Sequence, residues 1–253
     1  FFILYMTDKA KPFCFIIASK DEFESNIEEQ YAPIDEWKHK WTPNKFVDRK
    51  GKTRDFGYVT YKVLNSSRSF PDDTFEETAL KVALRQWGLR TKTIRFKREK
   101  DPDKTADIIL QFKKKEDDPY FKDRPSVLAY AYFPTNAEIG GNITFNDDYI
   151  WSSKGGSMSG KEAKKKGLAD PRTPDGNQLK CYNIIHTLIH ECGHAIGLKH
   201  NTQCKDCIMF PYYNGKVTLA DNDVERIQKF YGKRGLSSFI VDFFRRRMLK
   251  RYS

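Results

Sequence analysis

Three histidines near residue 190 have the spacing of a catalytic metal site. His190 and His194 are four residues apart, so on a helix they lie on the same face, one turn apart. Neutral imidazole is a good zinc ligand, and two such rings supply half of a tetrahedral site. Gly197 lets the chain leave the helix in a left-handed turn, so that His200 can return as a third ligand. Three protein ligands leave one position for water, which is typical of a catalytic zinc.

Glu191 directly follows the first of these histidines. A carboxylate there can take a proton from a zinc-bound water and later pass it to the leaving amine, which is the work of a general base. The alternative interpretation is an ordinary buried helix whose histidines only satisfy hydrogen bonds. Three histidines, a glutamate and a glycine at ligand spacing favour the metal site.

The eleven residues from 190 to 200 and a downstream Met209 resemble the signature of the metzincin zinc metallopeptidases. The chain is further similar to the catalytic domain of the matrixins, through Ile139-Gly140-Gly141, Phe145-Asn146-Asp147-Asp148 and Met209-Phe210-Pro211-Tyr212-Tyr213. The resemblance implies an α+β metzincin fold, with a twisted, mostly parallel five-stranded sheet, two packed helices and a C-terminal helix after the Met-turn. It divides the chain into an N-terminal extension (1–50), a catalytic domain (51–232) and a basic C-terminal tail (233–253).

The hydrophobic pattern predicts the elements that must position this site. Five stretches rich in apolar and β-branched residues are expected to form strands: 58–64, 94–96, 106–112, 127–133 and 142–145. The third of these is nearly all apolar, which predicts a central strand buried on both faces. Helices are expected from Pro71 to Gly88, from about Cys181 to Leu198, and from about Leu219 to Tyr231. Residues 14–17 could add a short strand, and residues 21–31 a helix.

The matrixin resemblance assigns further roles around the metal. It places Met209 beneath the zinc as a structural residue and a peptide substrate along residues 127–133 as an added strand. Pro211 and Tyr213 match the outer wall of the pocket for the first side chain after the cleaved bond, and His186 matches the residue that caps it. Asp223 matches a buried acid that hydrogen-bonds the Met-turn.

Other positions depart from the matrixin pattern. Tyr130 and Thr144 stand where the family has histidines for a second, structural zinc, so we expect that ion to be absent. Calcium remains compatible with Asp107, Gly140 and Asn142, although calcium prefers carboxylates and Asn142 is an amide. The expected cofactor is therefore one catalytic Zn²⁺, with Ca²⁺ as an additional candidate.

Charge is concentrated at the C-terminus of this basic chain. The formal net charge is +11, and the tail after Gly232 carries seven basic residues against one acid. That tail is either a solvated end or a surface for acidic glycans or anionic membranes. No nucleic-acid recognition motif accompanies the charge. The expected partners are protein or peptide substrates, and the expected oligomeric state is a monomer.

Five cysteines leave at least one unpaired within the chain. Cys204 and Cys207 form a C-x-x-C between the third histidine and Met209, which is compatible with a local disulfide or two free thiols. Cys192 continues the apolar face of its helix and is expected to fill the core. The apolar residues 1–6 suit either the remnant of a secretory signal or an apolar strand. A secreted protein is the expectation.

The leading hypothesis is a zinc-dependent endopeptidase in which Glu191 is the general base. A catalytically silent relative that binds partners through its groove and basic surface is the first alternative. Glu191 and all three histidines are intact, which favours activity. A different metzincin branch that uses the C-x-x-C for metal is the second alternative, against which the segment around Met209 and Pro211 argues.

Overall fold

The computed structural model of the protein describes residues 14–17, 39–48, 50–71, 74–135 and 138–234. Within these ranges the strands are β1 Cys14–Ile17, β2 Lys45–Val47, β3 Thr53–Val63, β4 Ile94–Arg98, β5 Ile108–Lys113, β6 Val127–Ala131, β7 Ile143–Asn146, β8 Ile150–Ser152, β9 Gly156–Ser159 and β10 Gln178–Asn183. The helices are α1 Thr74–Gly88, α2 Pro119–Asp123, α3 Gly160–Lys165, α4 Ile184–Ala195 and α5 Asp221–Tyr231.

Seven strands form the main sheet, in the order β1-β6-β7-β5-β3-β2, with β4 paired to β3. Strands β3, β4, β5 and β7 are mutually parallel, whereas β1 and β2 run antiparallel to their neighbours and β6 runs antiparallel to β7. The predicted α+β fold with a mostly parallel sheet is confirmed. Its five predicted strands are all present, and β1 and β2 extend the sheet beyond them. The segment from β8 to β10 forms a separate three-stranded sheet in the order β8-β10-β9.

Strand β5 lies in the middle of the main sheet, as predicted, but only one of its faces is fully covered. Ile108 and Leu110 are completely buried, whereas the residues between them are half-buried. The prediction of burial on both faces was therefore wrong for this strand. An apolar residue such as Ile109 can occupy a half-covered position because much of the surface of a folded protein is itself apolar.

Helices α1 and α4 pack on each other within the main hydrophobic core. Trp87 is completely buried there, and its indole Nε1–H donates a hydrogen bond of 2.9 Å to the backbone oxygen of Ile189 in α4. This bond satisfies the polar atom of a large apolar side chain. It also fixes α4, the helix that carries the metal-ligand candidates, against the rest of the core.

Helix α4 begins later than the sequence predicted. Residues Cys181 to Asn183 belong to β10, where they pair in parallel with Ile150 to Ser152 of β8. The apolar pattern that suggested a helix from Cys181 continues smoothly from strand to helix, so the pattern alone does not show the boundary. The helix ends at Ala195 rather than Leu198.

Residues 39–47 pack against the main body of the protein. The indole Nε1–H of Trp41 donates to the backbone oxygen of Ala195 at 2.8 Å, and its backbone N–H donates to the Tyr231 hydroxyl at 3.0 Å. In turn, the Tyr231 hydroxyl donates to the backbone oxygen of Ile196 at 2.8 Å. These bonds hold the C-terminal end of α4 from two directions.

The helix predicted at residues 21–31 and most of the basic tail, from 235 to 253, lie outside the described residues. Across the ranges that the structure does describe, no helix combines the length and apolar character that crossing a bilayer requires.

Candidate metal centre and active site

Helix α4 starts with a side-chain cap that places its first turn. Asn183 lies in extended backbone conformation, and its Oδ1 accepts hydrogen bonds from the backbone N–H groups of Ile185, at 2.8 Å, and His186, at 3.2 Å. Asparagine is among the preferred residues for this position because it satisfies amides that have no partner within the helix. Every residue of α4 is buried, so its histidines and glutamate are held inside the protein.

The three predicted zinc ligands come together. Nε2 of His190 lies 3.0 Å from Nε2 of His194 and 3.3 Å from Nε2 of His200. His200 reaches this position because the chain turns sharply at Gly197, where φ is 105°. A side chain at Gly197 would also collide with the backbone oxygen of His39.

Hydrogen bonds made by the Nδ1 atoms of His190 and His194 determine which ring nitrogen faces the cluster. Nδ1 of His190 donates to the backbone oxygen of Ile208, and Nδ1 of His194 donates to that of Leu198, both at 2.6 Å. A carbonyl oxygen can only accept, so Nδ1 carries the proton and Nε2 presents a lone pair. Burial lowers the pKa of His190 and His194 well below the usual range, which keeps both rings neutral.

This arrangement fits a zinc ion. Two unprotonated nitrogens 3.0 Å apart repel each other unless a cation lies between them. Zinc–nitrogen bonds of about 2.0–2.1 Å at tetrahedral angles separate two ligand nitrogens by about 3.3 Å, close to the spacing here. In the described ranges these three residues are the only group of three or more His, Cys, Asp or Glu side chains close enough to share a metal ion.

Glu191 is completely buried beside the cluster. Among the described residues neither of its carboxylate oxygens has a hydrogen-bond partner of normal geometry. Burial raises the pKa of this carboxyl well above the usual range, and the nearby backbone amide of Ile16 acts in the opposite direction. A buried carboxylate without a strong partner is costly, which is typical of a group kept available for a ligand or substrate.

Met209 supports the cluster from below, in contact with α4 at Gly193. A Cβ atom added to Gly193 would lie 2.3 Å from the Met209 sulfur. Asp223, at the start of α5, holds the same turn: its carboxylate accepts from the backbone N–H of Ile208 at 2.8 Å, of Met209 at 3.3 Å and of Ala220 at 3.0 Å. The backbone oxygen of Ile208 also accepts the hydrogen bond from His190. Asp223 therefore helps to position the His190 ring, with Ile208 between them.

His186 and Tyr213 meet on the side of the cluster where the resemblance expects the substrate pocket. Their ring centroids are 4.8 Å apart, edge to face. The Tyr213 hydroxyl accepts from the backbone N–H of Asn183 at 2.9 Å, and Pro211 is buried two residues earlier in the chain. Nδ1 of His186 donates to the backbone oxygen of Lys216 at 2.5 Å, while burial lowers the pKa of this ring to about 4. His186 is therefore neutral, and its Nε2 carries an unprotonated lone pair.

The three positions considered for calcium differ in their surroundings. The Asp107 carboxylate accepts from the backbone N–H and the hydroxyl of Thr60, both at 2.7 Å. Oδ1 of Asn142 is buried and has no hydrogen-bond partner among the described residues, and Gly140 lies against Thr135. A calcium ion at Asp107, Gly140 and Asn142 stays a prediction.

Tyr130 and Thr144, which replace the expected histidines of a second zinc, face each other across β6 and β7. The Tyr130 hydroxyl donates to Asp118 at 2.8 Å, and the Thr144 hydroxyl accepts from the Gln111 amide at 3.1 Å.

The C-x-x-C segment forms a disulfide between Cys204 and Cys207. Of the two possibilities that the sequence left open, the structure therefore shows the disulfide. The bridge closes the loop between His200 and Met209, whose ends meet where the Asn201 N–H donates to the Met209 oxygen at 2.7 Å. The buried Cys192 lies in the core, as its helical position predicted.

Sequence reasoning missed three contributors to this site. Asn183 was missed because the helix was predicted to begin too early, although Asn directly before the apolar run is a cap signal. Gly193 has no signal in a single sequence, because its need for hydrogen in place of Cβ arises from Met209, sixteen residues further on. Ile16 contacts the site from the N-terminal strand, which no local pattern connects to α4.

An α+β fold that brings three histidines together beside a buried glutamate is typical of the zinc metallopeptidases. The family model of the matrixins matches residues 50–232, well over half of the chain. The chain therefore belongs to the matrixin family, whose catalytic metal is zinc, and the histidine cluster is able to bind that metal.

Several characterised relatives are similar over the same region. Human matrilysin is 31% identical over 185 residues, which cover 71% of this chain and 58% of the relative. Horse stromelysin-1 is 30% identical over 182 residues, which cover 69% of this chain and 32% of the relative. Matrix metalloproteinase-2 of Drosophila melanogaster is 31% identical over 178 residues, which cover 69% of this chain and 20% of the relative. The chain thus spans from about a fifth to somewhat over half the length of these relatives.

Proposed function

We propose that the chain is a zinc-dependent endopeptidase that cleaves peptide bonds of protein substrates. His190, His194 and His200 hold the zinc ion, and Glu191 is the general base. The observation that carries this proposal is the convergence of three histidine rings, with Nε2 of His190 3.0 Å from that of His194 and 3.3 Å from that of His200. Beside them lies a buried carboxylate that has no hydrogen-bond partner of normal geometry among the described residues. Membership of the matrixin family supports the same reaction.

The residues of the chain divide the work of hydrolysis between them. When bound, zinc polarises the scissile carbonyl and lowers the pKa of a water molecule. Glu191 takes a proton from the attacking water and delivers it to the nitrogen of the leaving amine. The backbone oxygens of Ile208 and Leu198 keep His190 and His194 in the tautomer that presents Nε2. Exclusion of water around Glu191 strengthens its interactions with the reacting groups.

Substrate selection falls to the pocket beside the cluster. His186, Pro211 and Tyr213 form the wall that meets the side chain following the cleaved bond, and Met209 supports the metal site as a structural residue. The edge of β6 along which an extended substrate peptide would pair is the edge that β1 occupies in this structure.

We propose an extracellular location for this activity. The relative named matrix metalloproteinase-2 bears a name that refers to the extracellular matrix. Stable disulfides such as Cys204–Cys207 form in oxidising compartments and are rare in the cytosol. A basic tail that binds acidic glycans or membranes, and a monomeric state, complete the proposal.

The test is hydrolysis of a quenched fluorescent peptide that carries Leu after the cleavable bond. We expect the zinc-loaded protein to cut it and Glu191→Ala to be slower by about 10²–10⁴-fold. Chelation of zinc should abolish cleavage in both. Glu225→Ala, which removes an exposed acid from α5, is the matched control and should keep full activity. If a folded, zinc-loaded protein cuts nothing across a broad peptide library, the endopeptidase proposal is wrong and the chain acts as a binding module.

A further inference from the structure

Strand β10 directs two side chains toward the wall of the candidate substrate pocket. Successive residues of a strand face opposite sides of its sheet. Leu179 and Cys181 pack in a cluster with a residue of α3, which covers one face of the three-stranded sheet. Lys180 and Tyr182 therefore lie on the other face. There the ring of Tyr182 meets the ring of Tyr213 edge to face, with centroids 5.1 Å apart.

Lys180 is held against this pair of aromatic rings. Its Nζ lies 4.6 Å from the centroid of the Tyr182 ring and 5.8 Å from that of the Tyr213 ring. A cation over the face of an aromatic ring is attracted by the negative potential of that face. The two contacts restrict the positions of an ammonium group whose side chain is otherwise exposed to solvent. The wall of the pocket thus carries a positioned positive charge.

The charge of Lys180 is available to a ligand. Two lysines of the nearby helix region form ion pairs, Lys164 with Asp175 at 2.6 Å and Lys166 with Glu162 at 2.8 Å. Lys180 forms no ion pair with a carboxylate of the described ranges. Exposed lysines without an acid are common on protein surfaces. Lys180 differs from them because two aromatic rings, one of which belongs to the pocket wall, hold its ammonium group.

Ring contacts connect the metal cluster to Lys180. The centroid of the His186 ring lies 6.5 Å from that of His190 and 4.8 Å from that of Tyr213. Nζ of Lys180 lies 5.8 Å from the same Tyr213 ring. Residues of an extended peptide follow one another at about 3.3 Å, so this last distance corresponds to about two residues. A substrate whose first side chain after the cleaved bond meets Tyr213 therefore brings its second or third within reach of Lys180.

We propose that Lys180 determines substrate specificity by binding a carboxylate at the second or third position after the cleaved bond. If the chain is the proposed endopeptidase, on which this inference rests, its preferred substrates are acidic on the side of the leaving amine. The ammonium group of Lys180 donates a charge-assisted hydrogen bond to that carboxylate. A positive charge beside the pocket also speeds the encounter with acidic peptides.

The first experiment compares pairs of quenched peptides that differ only in Glu or Gln at the second or the third position after the cleaved bond. Leu stays at the first position. An exposed charge pair changes an equilibrium by about two- to fivefold. We expect kcat/KM for the Glu peptide to exceed that for the Gln peptide by this factor at one of the two positions. The preference should shrink in ~1 M salt, where the screening length falls to about 3 Å.

Three variants assign this preference to Lys180. Lys180→Gln should bring the ratio of the two kcat/KM values close to one, and Lys180→Glu should bring it below one. Lys180→Arg should preserve the ratio, because a guanidinium group also stacks on aromatic rings.

Lys165→Glu is the matched control for the charge reversal. Lys165 is an exposed residue of α3, on the opposite face of the three-stranded sheet from Lys180. This variant should keep the ratio of the wild type. Equal rates for the Glu and Gln peptides in the wild type would overturn the inference, as would a preference that survives in Lys180→Glu.

A second readout measures peptide recognition without catalysis. In the zinc-loaded Glu191→Gln protein, fluorescence titration gives the affinities for the same Glu and Gln peptides. The Glu peptide should bind about two- to fivefold more tightly. Lys180→Glu, added to this background, should reverse the order of the affinities, and Lys165→Glu should leave it unchanged.

The two proposals fail in distinguishable ways. Hydrolysis of the Glu and Gln peptides at equal rates leaves the endopeptidase proposal standing and removes the role of Lys180. Tighter binding of the Glu peptide by a folded, zinc-loaded protein that hydrolyses neither peptide removes the endopeptidase proposal. In that case Lys180 still selects acidic peptides, as the ligands of a binding module.

Discussion

The metal cluster and the peptide groove lie side by side, yet they are built in opposite ways. All three histidines of the cluster lie within eleven residues of sequence, on one helix and the turn that follows it. The groove side is assembled from β6, the segment 211–213 and β1, which pair across nearly two hundred residues. If the chain is the proposed endopeptidase, local segments supply its chemistry and distant segments select its peptide. We therefore expect changes in the cluster to abolish function and changes in its surroundings to weaken it.

The largest effect should come from breaking the cluster itself. His200→Ala removes one of three ligand nitrogens, so we expect zinc affinity to fall by more than the roughly 10–100-fold typical of losing an outer partner. Hydrolysis should fall below detection. Zinc content after dialysis, measured by atomic absorption, checks this. His39→Ala, which removes a histidine stacked on Phe133 outside the cluster, should retain one zinc per chain. Full zinc content in His200→Ala would contradict the ligand assignment.

The contact between the cluster's helix and the Met209 turn should be next in size. In Gly193→Ala the new methyl group would lie 2.3 Å from the Met209 sulfur and 3.1 Å from Trp87. Overpacking of this kind costs about 1–3 kcal/mol, which urea unfolding measures. Gly176→Ala is the control, because a Cβ atom at that glycine meets nothing within 4 Å. Equal unfolding free energies would show that Met209 moves aside freely.

A pH dependence should reveal the buried acid that holds the same turn. Burial raises the pKa of Asp223, against hydrogen bonds from the backbone amides of Ile208, Ala220 and Met209 that lower it. The pKa of Asp223 is therefore higher in the folded state than in the unfolded state. The stability linked to its ionisation is fully present below the unfolded-state pKa of about 3.9 and is lost as the pH rises through the folded-state pKa.

The free energy of unfolding of the wild type should therefore decrease as the pH rises above ~4. Asp223 should contribute at most about 1.4 kcal/mol per pH unit to this decrease. Urea titrations at successive pH values in Asp223→Asn should lack that component. Asp221→Asn removes an exposed acid from the same helix turn and should keep it. An unchanged slope in Asp223→Asn would argue against a raised pKa.

The smallest effect should come from the start of the metal helix. Asn183→Ala removes the oxygen that accepts from the Ile185 and His186 amides, and losing such a cap costs about 1 kcal/mol. Thermal unfolding should show it. Asn177→Ala removes the same side chain type from an exposed position and should be nearly neutral. If Asn183→Ala also loses zinc or activity while the protein remains folded, the cap positions His190 as well.

The contrast between the two regions also explains which predictions succeeded. Zinc as cofactor, the matrixin family and the α+β fold all follow from short-range patterns, and all are confirmed. The start of α4 was misplaced because apolar residues continue from β10 into the helix, and pairing with β8 is what makes Cys181–Asn183 a strand. The burial of β5 was overestimated because its sequence cannot show how much of each face other elements cover.

By itself, the sequence determined which three histidines form the proposed metal site, because residues four apart on a helix meet whatever the rest of the chain does, and Gly197 permits the turn that brings His200 back. It also determined that these residues lie in an apolar helix. Only the tertiary structure decided that Gly193 must lack a side chain, that Asp223 holds the turn behind His190, and that β1 pairs with β6. These contacts join segments far apart in the chain. They stabilise the protein only once folding of the core has brought the segments together.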